Sequence, residues 1–156
     1  MTPQLRGRFA ETTPRNRAMT ELVLDASVAV ALVTNEVGSA AAKDAIQGAA
    51  TLVPDNFWAE VARALARKVS QGDLDRQAAG KALVLLDRLV DRTVATRPLA
   101  PLALEVSLDL GHPLYDCLYL VAAVSEHAVV VTGDRMLCRR AERAGLGELV
   151  RLVKPD

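Results

Sequence analysis

Aromatic residues are scarce. Phe9, Phe57, Trp58, Tyr115 and Tyr119 are the whole set, 3% of 156 residues. Binding RNA by stacking successive bases needs rings spaced along one surface, so that mode is excluded. Cysteine is equally sparse. Cys117 and Cys138 have neither the CxxC spacing of a zinc or redox site nor the density of a disulfide-stapled secreted domain, which points to a reducing cytoplasm. Net charge is absent too, with 19 basic residues against 19 acidic ones, and this argues against a broad cationic field. No apolar run reaches the ~20 clean residues of a membrane span. The two longest, Leu22 to Val33 and Cys117 to Thr132, are broken by Asp25 and by Glu126-His127. Also missing are GxSxG, GxGxxG and GxxxxGK, which removes the nucleophile elbow, the dinucleotide fold and the P-loop. Only two histidines occur, so no His-based metal site is expected, and His112, placed before Pro113, reads as a turn residue.

What remains is an ordinary composition, 51% apolar and 24% charged, at a length that buries one core without staples. Met1 to Ala18 holds four arginines, one acid and two prolines without apolar periodicity. It reads as a disordered basic extension of 1–18, either upstream of a start at Met19 or a basic tail resembling a transit peptide. Residues 19–156 read as a single domain.

Within that domain strands alternate with helices. Leu22 to Asp25 is a short strand followed by a helix over Ser27 to Thr34, and Ser39 to Gln47 is a short helix with Ser39 as its N-cap. Thr51 to Pro54 is a second strand. Asp55 or Asn56 caps a helix over Phe57 to Ser70 with Phe57, Val61, Ala64, Leu65 and Val69 on one stripe. Gly72 turns the chain into Leu74 to Val90, where Ala78, Ala82, Leu85 and Leu89 recur at helical spacing, giving a helical hairpin. Its leucines exceed one buried stripe; core packing is the first reading of the excess, and a partner surface the second. A strand at Thr93 to Thr96, a helix at Ala103 to Leu110, a helix at Leu114 to Ser125 opened by Pro113, a strand at Val129 to Thr132, a helix at Asp134 to Ala144 and a last strand at Leu149 to Leu152 complete the series. Alternation with short buried strands predicts an α/β fold with a mainly parallel sheet.

Four acids interrupt the most apolar segments. Asp25 ends the first strand, Asp134 follows the fourth, and Glu60 and Asp116 lie in the first turns of helices. In a parallel sheet the carboxyl ends of strands and the amino ends of the following helices share one edge, where ligands bind. Singly, each acid has an ordinary explanation as a cap, a turn residue or a partner of a helix dipole. Together they repel and desolvate one another, so they persist only if shared protons, hydrogen bonds or a metal compensate, and oxygen ligands favour Mg²⁺ or Mn²⁺.

The segments LVLDASVAVALVTNE, NFWAEVARAL, HPLYDCLYLVAA and VVVTGDRMLCRRA, in this order between Leu22 and about Leu152, resemble the PIN-domain ribonucleases and, among them, the VapC-type toxins. The resemblance implies a PIN-like three-layer α/β/α domain with about five short strands in the central sheet. It places the family's acidic quartet on Asp25, Glu60, Asp116 and Asp134, with Ser27 and Thr132 at the supporting hydroxyl positions. It further implies Mg²⁺- or Mn²⁺-dependent endonucleolytic cleavage of RNA, homodimerisation, and inhibition by a small cognate antitoxin. Carboxylate-held metal lowers the pKa of water and offsets charge on phosphodiester oxygens. On this reading Asp25 and Asp116 are the most direct ligands, Glu60 is a ligand or orients water, and Asp134 completes a second site. Ser27 and Thr132 either orient carboxylates or cap turns. Glu36 is read as an exposed loop acid outside the site.

Arg63, one turn beyond Glu60, and Arg135, next to Asp134, are candidates for holding RNA phosphates, whereas Arg139, Arg140 and Arg143 read as solvated partners of nearby acids. Cys117 is expected to pack inside a buried helix. A signalling receiver domain also gathers acids around Mg²⁺ and has a terminal Lys-Pro like Lys154-Pro155, but it needs an acidic pair where this chain has Asp25 alone. A housekeeping PIN nuclease of RNA processing and a non-catalytic RNA-binding PIN module stay open beside the toxin. Setting residues 1–18 aside leaves 15 bases against 18 acids, so the neutral total averages a basic tail with an acidic domain.

Overall fold

A computed structural model describes residues 21–34 and 38–154. The expected basic extension over 1–18, the start at Met19 and the loop acid Glu36 lie outside these residues.

A three-residue apolar stretch suffices for the central strand because it is wholly buried. Strand β1 (Leu22–Leu24) is fully enclosed, and β2 (Thr51–Pro54) and β4 (Val129–Thr132) flank it, all parallel. Two edge strands, β3 (Arg92–Val94) and β5 (Val150–Leu152), extend the sheet to the order β3-β2-β1-β4-β5. Register is set by Leu22 opposite Thr51 on one side and Val129 on the other. The chain steps outward from β1 to β2 to β3, then returns past β1 to β4. Right-handed crossovers therefore place the helices before β3 on one face and those after it on the other. The first layer holds α1 (Ala26–Thr34), α2 (Ser39–Ile46), α3 (Phe57–Gln71) and α4 (Arg76–Leu89). The second holds α5 (Ala100–Leu110), α6 (Leu114–Ser125) and α7 (Arg135–Arg143). The result is the expected three-layer α/β/α arrangement, with all five strands parallel.

Helix α6 is apolar on nearly every side because it lies under the sheet with α5 against it, and Cys117 to Val124 are all buried. Cys117 packs as expected. Burial pushes its thiol up to about 12, so it stays a neutral donor. The α3–α4 hairpin forms as read: Gly72, at φ 82°, closes α3, and Asp75 caps α4 by accepting from Ala78 N at 2.7 Å.

Several local expectations need correction. Ser39 does not cap α2. Gly38, in the left-handed region at φ 93°, makes the turn, and the Ser39 hydroxyl lies buried without a partner. In α4 the buried positions are Ala82 and Leu86, whereas Leu85 is 45% exposed. The helix packs at a rotation that turns Val84 and Leu85 outward. Strand β3 starts at Arg92, whose guanidinium bridges Glu21 and Glu126 at 3.0 and 2.6 Å, and Thr96 leaves the sheet to bond Asp55 at 2.5 Å. Helix α5 begins three residues early with Pro101 in its first turn, and Leu149 closes a 3₁₀ turn before β5. Among the described residues no helix is long and apolar enough to cross a membrane.

Candidate active site

Because the connection order reverses between β1 and β4, a crevice opens beyond the carboxyl ends of these two strands. Asp25 follows β1 and Asp134 follows β4, so both stand at its rim. Asp25 is tied to the neighbouring strand by its backbone N–H, which donates to Val131 O at 3.1 Å. Its Oδ2 accepts from Ser27 Oγ and from Thr132 Oγ1, each at 2.6 Å. Thr132, fully buried, also accepts from the backbone N–H of Asp134 at 3.0 Å, so one hydroxyl joins the two acids. Ser27 Oγ in turn accepts from Gly133 N at 3.1 Å. Burial nevertheless raises the Asp25 carboxyl above its ordinary value, against these hydroxyls and the nearby amides of Ala26 and Ser27.

Asp134 divides its carboxylate. Oδ1 caps α7, accepting from Met136 N and Leu137 N at 2.6 and 3.0 Å, while Oδ2 points to the crevice. Glu60 enters from α3, with Oε1 accepting from Asn56 Nδ2 at 3.0 Å and Oε2 from Tyr119 OH at 2.8 Å. Asp116 projects from the first turn of α6. Desolvation raises its carboxyl, His112 opposes that, and the charges of Asp25, Asp134 and Glu60 add to it. Asp116 is thus in electrostatic reach of the other three acids.

His112 corrects the sequence reading. It does sit in a turn, but its side chain is only 4% exposed, and Nε2 lies 3.0 Å from Asp116 Oδ2 and 3.4 Å from Asp134 Oδ2. Neither oxygen takes a well-directed hydrogen bond from it. Ligand atoms of His112, Asp116 and Asp134 lie within 4.8 Å of one another, a group able to hold a metal ion. The available signal was the i, i+4 spacing from His112 to Asp116 across a rigid Gly-His-Pro turn. Arg140 also departs from its expected role as a solvated partner of acids. Its Nη1 donates to Leu110 O at 2.6 Å and to Gly111 O, clamping that turn. Arg63 and Arg135 are exposed beside the acids they follow.

The sheet order, the acids on its carboxyl edge and the matched segment define the class. The PIN domain family matches residues 22–143, and the chain belongs to that family. Its fold is similar to that of PAE2754 from Pyrobaculum aerophilum, at 24% identity and a TM-score of 0.61, covering 79% of this chain and 87% of that one. It is also similar to a crystal structure of VapBC2 from Rickettsia felis bound to a DNA fragment from their promoter. There the identity is 11% and the TM-score 0.62, over 86% of this chain and 99% of the other. A search of curated proteins finds no match.

Proposed function

We propose that this PIN domain is a divalent-metal-dependent endoribonuclease and the toxin of a toxin-antitoxin pair. The observation that carries the reading is the meeting of Asp116 and Asp134 with Asp25 and Glu60 in electrostatic reach, at the edge where this topology opens a crevice. Burial desolvates Asp25 and Asp116, and the charges of Asp25, Asp134 and Glu60 bear on Asp116, which favours a cation there. The donor set fits one: Asp116 and Asp134 offer oxygens, and the orphaned Nε2 of His112 faces the same space. Mg²⁺, or Mn²⁺ in its place, would be held by Asp116 and Asp134 with Asp25 and Glu60 beside them. A bound divalent cation there supplies acidified water and offsets charge on the scissile phosphodiester.

The chain's own residues prepare that chemistry. Ser27 and Thr132 fix Asp25, and Asn56 and Tyr119 fix Glu60. Arg63 and Arg135 provide exposed guanidinium groups for RNA phosphates flanking the cut. The likeness to VapBC2 supports the toxin assignment, with a small antitoxin as partner, and two free, buried cysteines fit a reducing cytoplasm. Exposed Leu104 and Leu108 on α5 support homodimerisation, and exposed Val84 and Leu85 on α4 support a partner surface on the hairpin.

Cleavage of RNA by purified protein with Mg²⁺ or Mn²⁺, lost in EDTA and in Asp116→Asn, is the expected result. RNA left intact with either metal, or cut equally by the variant, overturns the nuclease reading. A short adjacent reading frame encoding a DNA-binding protein supports the toxin role, and its absence favours housekeeping RNA processing.

A further inference from the structure

We propose that His112 is itself a metal ligand, so that the site is a mixed nitrogen and oxygen centre with a preference for Mn²⁺ over Mg²⁺. The inference rests on reading the site as metal-binding and adds a residue outside the acidic quartet. Imidazole nitrogen is taken more readily by first-row transition ions, Mn²⁺ included, than by Mg²⁺, which prefers oxygen alone.

Three features converge on this role. First, Nε2 is buried and unpartnered yet directed between two carboxylates. A histidine serving only to hold Asp116 would direct its N–H along one oxygen. Instead the distances are 3.0 and 3.4 Å, without hydrogen-bond geometry to either. Ligands at about 2.0–2.1 Å in octahedral geometry stand about 2.9–3.0 Å apart along an edge. The separation from Asp116 Oδ2 matches that edge, and all three donors lie within 4.8 Å of one another, close enough to converge on one ion. Second, the turn carrying His112 is built to hold one position. Ser107 Oγ donates to the His112 carbonyl at 2.6 Å, Cys117 Sγ approaches it at 3.8 Å, and the His112 N–H donates to Ser107 O at 3.2 Å. Arg140 clamps the two preceding carbonyls. Third, Pro113 follows and starts α6, which fixes His112 relative to Asp116 one turn on. Solvation of an exposed turn histidine needs none of this.

The test reads the metal rather than turnover. Untagged full-length protein is loaded with Mn²⁺, and pulsed electron paramagnetic resonance is used to detect ¹⁴N coupling to the ion. A directly bound imidazole nitrogen is expected in the wild type and absent in His112→Asn. Calorimetric titration is expected to show Mn²⁺ affinity falling about tenfold or more in His112→Asn, with Mg²⁺ affinity falling by less. Circular dichroism in EDTA checks that the variant folds. Mn²⁺ bound to wild type without ¹⁴N coupling overturns the assignment and needs no variant, as does an unchanged Mn²⁺ affinity in a folded His112→Asn. No Mn²⁺ binding at all overturns both this and the metal-dependent reading. Nitrogen coupling without RNA cleavage upholds the ligand and removes the nuclease, while Mn²⁺-dependent cleavage without coupling does the reverse.

Discussion

Tyr119 donates its phenolic hydroxyl to Glu60 Oε2 at 2.8 Å, joining the central helix α6 to the first turn of α3. The ring is 1% exposed, and burial together with the charges of Asp25 and Glu60 drives the phenol far above its ordinary pKa, so it remains a donor at any working pH. Its role is to orient the carboxylate. Tyr119→Phe keeps the ring's packing and releases one oxygen of Glu60. Turnover of RNA is expected to fall about tenfold, equivalent to about 1.4 kcal/mol in the barrier, with KM within twofold. Stability should change by no more than about 1 kcal/mol, since half-buried Glu60 can recruit water. Steady-state kinetics beside urea denaturation separate the two, and an unchanged kcat rules out orientation by Tyr119.

Thr132 is the hinge between Asp25 and Asp134, donating to the side chain of one and accepting from the backbone of the other. Thr132→Val preserves shape and removes both bonds in a buried setting, leaving the Asp134 N–H unpaired. A loss of about 1–3 kcal/mol in urea denaturation is expected, with weakened RNA cleavage. Thr132→Ser restores the hydroxyl and should recover most of the activity. If valine and serine behave alike, the hydroxyl does not organise the acids.

The order of elements and the convergence of the acids were legible in the sequence because parallel strands impose both. A buried strand shows as an apolar run, and the acid ending it must stand on the carboxyl edge. The strand Val129–Thr132 and the helix Leu114–Ser125 coincide with the expectation. Tertiary packing decided what was not legible. Leu85 and Leu86 are adjacent leucines, and only the rotation at which α4 meets α1 and α3 selects Leu86 for the core. His112 reads as a turn residue because it is one. The turn that carries it is held by Arg140, 28 residues later, donating to Leu110 O and Gly111 O, a contact that no local pattern announces.

The raised Asp116 carboxyl has a consequence for metal-free stability. A carboxyl whose folded pKa exceeds its unfolded value binds its proton more tightly when folded. Its favourable contribution is present below the ordinary value of about 4 and is lost as pH rises through the raised one. At neutral pH without metal, the fold therefore bears the ionised group's penalty. Asp116→Asn removes it. In EDTA at pH 7 the variant is expected to melt about 2–4 °C above wild type, since screening of a one-third-exposed carboxylate limits the effect to about 1 kcal/mol. The difference should shrink toward pH 4. Added Mn²⁺ should raise the melting temperature of the wild type and leave the variant nearly unchanged. A variant that melts below wild type in EDTA at pH 7 contradicts this account.

Leu104 and Leu108, one turn apart on α5, are 53% and 74% exposed. Apolar side chains left this open on a short helix point to an interface between copies. Light scattering is expected to find a dimer for the wild type and a monomer for Leu108→Glu, whose new charge would be buried unpaired. A wild type that is monomeric throughout the accessible concentration range removes the dimer.

Gly111 shows how stability and site geometry share one residue. It sits at φ 60°, in the left-handed region, and a Cβ placed there would stand 2.9 Å from Arg140 Nη1. Alanine at 111 must therefore adopt an unfavourable backbone and displace the guanidinium that clamps the turn. The backbone alone costs about 1–2 kcal/mol, and loosening Arg140 adds to that. Arg140→Met keeps the glycine and removes only the clamp. Both variants should unfold at lower urea concentration, Gly111→Ala more so. Because the turn carries His112, both should also bind Mn²⁺ more weakly, with Mg²⁺ binding less affected. If Gly111→Ala is destabilised while its Mn²⁺ affinity stays at the wild-type level, the turn serves the fold alone and the position of His112 is set elsewhere.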